Sequence, residues 1–149
     1  MVKEERRGGF TLIELLIVIA VISILIGIAL PRFKGMQDEG NIAKAKGELR
    51  TLQTGVESFY IHNNITYPVA LSDVTTVTPR IISSIPTDPF GLPGAAYQYV
   101  RGGTNSKFYV IYSVGPAGNG SATISNDAVS ETNGSSCIYV SNAGTDPQP

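Results

Sequence analysis

Residues 10–30 read FTLIELLIVIAVISILIGIAL, a run of 21 residues that is apolar except for Thr11, Glu14, Ser23 and Gly27. As a helix rising ~1.5 Å per residue it spans ~30 Å, the hydrocarbon thickness of a bilayer. In lipid only a helix or a closed barrel satisfies its own backbone, and one segment cannot close a barrel. The run is therefore a membrane helix, a signal peptide, or both in sequence. A secretory signal has the basic start (Lys3, Arg6, Arg7) and a small-x-small cut at Gly27-Ile28-Ala29 in its favour. Against it stand an apolar core longer than the usual ~7–15 residues and a carboxylate, Glu14, near its beginning.

Glu14 is the most informative residue of the run. An ionised carboxylate in lipid costs at least ~2.5 kcal/mol, so it needs a partner or a place near the interface. No Lys or Arg lies between Phe10 and Leu30. Cleavage before Phe10 would create one cation, an α-amine four residues from Glu14 at the start of the same helix. The plainer alternative is a glutamate snorkelling to the membrane surface.

Outward on the N-terminal side, Arg6-Arg7-Gly8-Gly9-Phe10-Thr11-Leu12-Ile13-Glu14-Leu15-Leu16 resembles the leader junction of type IV prepilins and type II secretion pseudopilins. The resemblance implies a leader of residues 1–9, cut between Gly9 and Phe10 by a membrane aspartyl prepilin peptidase. It also implies methylation of the Phe10 amine. It casts Glu14 as the carboxylate that meets the Phe10 amine of a neighbouring subunit, with Pro31 also in the assembly segment. Loss of the leader removes three basic and two acidic side chains and moves the formal charge from −1 to −2. Charge does not set orientation, because Arg32, Lys34, Lys44 and Lys46 follow the run just as Lys3, Arg6 and Arg7 precede it. A cytoplasmic N-terminus therefore rests on the resemblance.

Outward on the other side, Pro31 removes one helical hydrogen bond and crowds the carbonyl four residues back, which predicts a bend or local unwinding. It does not predict a stop. Ile42, Ala45, Leu49, Leu52, Val56 and Phe59 recur at spacings of 3, 4, 3, 4 and 3, an amphipathic stripe that carries helix to about Tyr60. Such a stripe must be covered. The aromatic and β-branched segments at 97–100 and 108–114, joined by a Gly-rich turn at 101–106, predict a hairpin. Residues 137–140 predict a third strand. The fold class is α+β, a long N-terminal helix packed on a small antiparallel sheet, with residues 10–30 for the membrane and 31–149 for the exported domain. A short helical turn is expected around Arg80–Ile85, and a loose tail from Ser141.

Residues Ile85 to Pro93, with Asp88-Pro89-Phe90-Gly91 at their centre, then Tyr97-Gln98-Tyr99 and Tyr112-Ser113-Val114-Gly115, resemble the corresponding segments of major pseudopilins in the order they occur. The pilin-like fold, the helical homopolymer and the partners of that family follow as implications. Those partners are the inner-membrane assembly platform, the minor pseudopilins and, before assembly, the inner membrane itself. Residues 31–149 would then be periplasmic. The resemblance also implies Ca2+ in the loop 115–127, with Asn119, Ser125 and Asp127 as candidate ligands. Ca2+ wants six to eight oxygens, and acids are sparse there, with Ala117 where an aspartate would be favoured. The lone Cys137 excludes an intrachain disulfide and reads as a small buried strand residue.

Other classes find little support. The 11 basic and 12 acidic residues leave no basic excess for nucleic acid, and past residue 60 the basic residues are Arg80, Arg101 and Lys107. The single His62 sits in a polar stretch, Ile61-His62-Asn63-Asn64, so a catalytic triad or His-rich metal site has no nucleus. P-loop, GxGxxG and zinc-ligand spacings are missing. The expectation is a non-enzymatic filament subunit of a type II secretion system that drives protein export. A surface type IV pilin (adhesion, motility or electron transfer) is the alternative, and a monomeric exported binding domain a third.

Overall fold

The computed structural model describes residues 9–78, 80–132 and 137–143. The chain divides into two units, residues 1–37 and 38–149. Helix α1, Leu12–His62, runs for 51 residues. It is followed by α2 (Asp73–Thr76), β1 (Gln98–Gly102), a 3-10 turn (Thr104–Ser106), β2 (Phe108–Ser113), β3 (Ser121–Ser125), β4 (Ala128–Thr132) and β5 (Ile138–Ser141).

In the first unit, residues 10–28 are all exposed, and an 18-residue window of α1 has a mean hydropathy of 3.0 with none of it buried. An apolar surface of that length is at rest only in lipid or against other apolar helices. Pro31 lies inside α1. It leaves the Gly27 carbonyl without its helical donor, yet neither ends nor unwinds the helix, as the flanking residues remain helical on both sides.

In the second unit the stripe behaves as its spacing requires. Ala45, Leu49, Leu52 and Val56 are fully buried, and Phe59 nearly so. They join Tyr97, Tyr109 and Ile111 in one core with Tyr67, Leu71 and Val74 from the connection after the helix. Each fully buried Leu or Val contributes roughly 1.5–3 kcal/mol. The two acidic residues beside the stripe turn inward at their tips. Glu48 accepts a hydrogen bond from the Tyr97 hydroxyl at 2.7 Å, and Glu57 accepts from Tyr109 at 2.7 Å and Tyr67 at 3.2 Å. The tyrosines thus bury their rings against the helix and still satisfy their hydroxyls.

The sheet order is β1-β2-β5, antiparallel throughout. Strand β2 is buried on both faces, since alternate residues point to opposite sides. Tyr109 and Ile111 face the helix, whereas Val110 packs with Ala122, Cys137 and Tyr139, flanked by Val100, Ile124 and Val129. Ala122, Ile124 and Val129 of this cluster come from a second hairpin, β3–β4, which occupies part of the stretch 115–127 expected to be a loop and runs on to Thr132. Its two turn residues, Asn126 and Asp127, have φ of 50° and 60°, the left-handed pair that a two-residue hairpin needs and that Asn and Asp tolerate.

Two further expectations are corrected. Residues 80–85 are not helical, and the short helix lies earlier, at Asp73–Thr76. There the Asp73 carboxylate gathers the backbone N–H groups of Val69 and Ala70 at 2.9 and 3.0 Å. Ile81, Ile82 and Ile85 instead pack against the main core. The chain from Ser141 to Ala143 is not loose. Ser141 ends β5, and Asn142 receives the Tyr109 N–H at 2.8 Å while donating to the Lys107 carbonyl at 2.9 Å. The rest of the expected tail lies outside the described residues.

Candidate functional site

The sequence-predicted assembly residues fall at the mouth of α1. Gly9 and Phe10 precede the helix and are exposed, Phe10 by 80%. A Cβ placed on Gly9 would meet nothing within 4 Å, so this fold has no packing need for glycine there. Of the leader, residues 1–9, all but Gly9 lie outside the described residues.

Thr11 and Glu14 form a reciprocal cap that sequence reading missed. The Glu14 N–H donates to Thr11 Oγ1 at 3.3 Å, and Glu14 Oε2 accepts from the Thr11 N–H at 2.9 Å and its hydroxyl at 2.7 Å. This is the capping box, in which a Thr at the N-cap and a Glu three residues on satisfy each other's backbone donors. The Thr-x-x-Glu spacing ahead of an apolar run was the signal that would have found it. Both bonds fall on Oε2, leaving Oε1 without a partner among the described residues. Pro31 stands 17 residues further along the same helix, and nothing brings it to the cap.

The second cluster joins the two downstream segments singled out from sequence. Asp88 is 6% exposed. One carboxylate oxygen accepts from the Ser113 hydroxyl at 2.7 Å and the Phe90 N–H at 3.0 Å, and the other from the Val114 N–H at 3.0 Å. The turn at 88–91 and the exit from β2 at 113–115 are thereby tied through one buried carboxylate.

The candidate calcium residues do not converge. Asn119 precedes β3, Ser125 ends it, and Asp127 occupies the turn beyond, so the length of a strand separates Asn119 from the other two. Asp127 is already engaged, accepting from the Thr104 N–H at 2.6 Å and its hydroxyl at 2.7 Å. Those hydrogen bonds hold its carboxyl below the usual carboxylate range. A hard cation needs six to eight oxygens about one point, and these three residues do not supply such a set. Among the described residues no group of three or more His, Cys, Asp or Glu is placed to hold a metal.

An exposed helix of membrane length, boxed at its first turn and continuing into a small α+β domain, defines a membrane-anchored, pilin-like subunit. Residues 6–30 match the prokaryotic N-terminal methylation motif, and residues 32–132 match type II secretion system protein G. The chain belongs to the type II secretion system protein G family. It is 28% identical to the type II secretion system core protein G of Pseudomonas aeruginosa, over 78% of this chain and 88% of that one. It is 30% identical to the core protein G of Dickeya chrysanthemi, over 77% and 81%. Similarity to the type IV major pilin protein PilA of Myxococcus xanthus is higher, 47%, but covers only 37% of this chain and 25% of the pilin. No solved structure matches the chain.

Proposed function

We propose that this chain is the major pseudopilin of a type II secretion system. In this reading it is cut after Gly9, methylated at Phe10, and polymerised by transferring residues 10–30 from the inner membrane into a helical bundle. Residues 31–149 then face the periplasm, and growth of the filament pushes folded proteins outward. The observation that supports the secretion reading is the likeness of residues 32–132 to type II secretion system protein G. The assembly step is supported by the uncovered apolar helix with Glu14 at its mouth. Its Oε2 closes the helix cap while Oε1 stays available, so a neighbour's Phe10 ammonium can be received without unmaking the helix. A carboxylate and an ammonium in an apolar bundle are far costlier apart than together. The pair would therefore select one register between subunits. The part played by the chain is structural, and no catalytic step is assigned to it.

Glu14→Ala and Glu14→Lys are expected to leave leader cleavage intact, measured as the mobility shift of the mature chain, and to abolish filaments on overexpression. Normal filaments from either variant would sink the pairing. Deletion of the gene is expected to trap exported proteins in the periplasm with surface filaments unchanged. Loss of surface filaments with normal secretion would favour the pilin reading to which the PilA similarity points.

A further inference from the structure

Across the stretch 115–127, where the resemblance implies Ca2+, there is one carboxylate, Asp127. The next acid, Glu131, pairs with Ala122 at the far end of the hairpin, about three residues or ~10 Å of strand away. Calcium affinity depends on how many charged ligands are brought to one point. The use made of Asp127 is therefore decisive. Both of its oxygens are engaged by a residue 23 positions earlier in the chain. Oδ1 accepts from the Thr104 N–H at 2.6 Å, and Oδ2 from the Thr104 hydroxyl at 2.7 Å. A cation at this carboxylate would face two donor hydrogens, the positive ends of their dipoles, and would have to displace them.

The backbone around the carboxylate is shaped for that contact. Gly103 holds φ of 74°, and a Cβ there would stand 2.7 Å from Asp127 Oδ1 and 2.5 Å from the Phe108 ring. A Cβ on Gly102 would stand 3.0 Å from Ile124 Cβ. Two successive glycines thus let the β1–β2 loop close on the β3–β4 hairpin, one against its strand and one against its turn. The entry to the hairpin closes on backbone hydrogen bonds. There the Gly118 N–H donates to the Gly115 carbonyl at 2.8 Å, and the Gly120 N–H to the Val114 carbonyl at 2.9 Å.

We infer that the Asp127–Thr104 clasp, seated by Gly103, is a metal-independent lock that fastens the hairpin to the β1–β2 loop as a bound cation would, so that the domain reaches full stability without Ca2+. Hydrogen bonds to an ionised carboxylate are stronger than neutral ones, and this pair is present at any calcium concentration. The stability of the subunit is then indifferent to the calcium level of its compartment.

The test is urea unfolding of the full-length chain in detergent, in 1 mM CaCl2 or 1 mM EGTA (concentrations of about that size suffice). The wild-type midpoints are expected to coincide. A site with a dissociation constant of ~10 µM would instead raise the midpoint in calcium by about 1–2 M. Thr104→Val, which removes one arm of the clasp, is expected to lower the midpoint by about 0.3–1 M, equally in both buffers. Gly103→Ala, which obstructs the carboxylate, is expected to lower it further. A wild-type midpoint raised by Ca2+ would overturn the inference, whether or not Asp127→Ala abolishes the rise. So would Thr104→Val and Gly103→Ala chains as stable as wild type in EGTA, because the hairpin would then be held without the clasp. If Gly103→Ala does not fold, the milder Thr104→Val decides alone.

Discussion

Replacing Asp88 by Ala tests the buried junction most severely. The carboxylate is the acceptor for the Ser113 hydroxyl, the Val114 N–H and the Phe90 N–H. Ser113 is fully buried; its oxygen in turn accepts from the Gly115 N–H at 3.1 Å. Without the carboxylate the buried Ser113 hydroxyl is stranded, and the part-buried Val114 and Phe90 N–H groups both lose their acceptor. Each such donor costs about 1–3 kcal/mol, so Asp88→Ala is expected to destabilise the domain by about 3–5 kcal/mol. Against a total of roughly 5–15 kcal/mol, that is a large share. Asp88→Asn keeps one acceptor oxygen but turns an amide N–H toward a donor, for a loss of about 1–2 kcal/mol. Ser113→Ala leaves the two backbone donors satisfied and is expected to cost least, about 1 kcal/mol. The assay is urea unfolding of the detergent-solubilised chain followed by tyrosine fluorescence, which its seven Tyr and no Trp make clean. The midpoint should fall in the order Ser113→Ala, Asp88→Asn, Asp88→Ala at unchanged slope. An Asp88→Ala midpoint indistinguishable from wild type, or above that of Ser113→Ala, would refute the reasoning.

Three other outcomes follow from protonation. Burial, followed by the Glu57 carboxylate, pushes the Tyr67 hydroxyl up to about 12 from an ordinary 10.0, and burial also raises Tyr97, Tyr99 and Tyr109. Because the folded values are raised, this stabilisation is complete below pH ~10 and lost as pH climbs through ~12. Tyrosinate absorbance should therefore rise together with loss of the native fold, and ionisation of these hydroxyls in a still-folded domain would contradict it. Burial, with Glu131 and Asp88 adding repulsion, raises the Cys137 thiol to about 12, so a maleimide at pH 7.5 should label it only after urea unfolding; fast native labelling would place Cys137 at the surface. Asp127 is held below its ordinary 3.8 by Thr104, so its contribution is present above that value and lost as pH falls further. Asp127→Asn should lower the urea midpoint at pH 7, and the gap should close in acid, whereas a gap independent of pH would assign the effect to turn geometry alone.

The sequence by itself determined the elements whose signal is local and periodic. Residues 10–30 state a membrane-length helix by length and composition, and the 3,4 spacing from Ile42 to Phe59 states both the continuation of α1 and the face it buries. The aromatic and β-branched runs placed β1, β2 and β5 to within a residue or two, because each is long enough to carry its own pattern. What only the tertiary structure decided depends on contacts between distant residues. Ser121–Thr132 is too polar to read as a hairpin, and becomes one because Ala122, Ile124 and Val129 find the far face of β2. Asp88 and Ser113 are each unexceptional in their own turn, and their joint role exists only once the sheet brings them within 2.7 Å. The same long-range geometry spreads the candidate calcium ligands along a strand and engages Asp127 with Thr104, something no reading along the chain could decide.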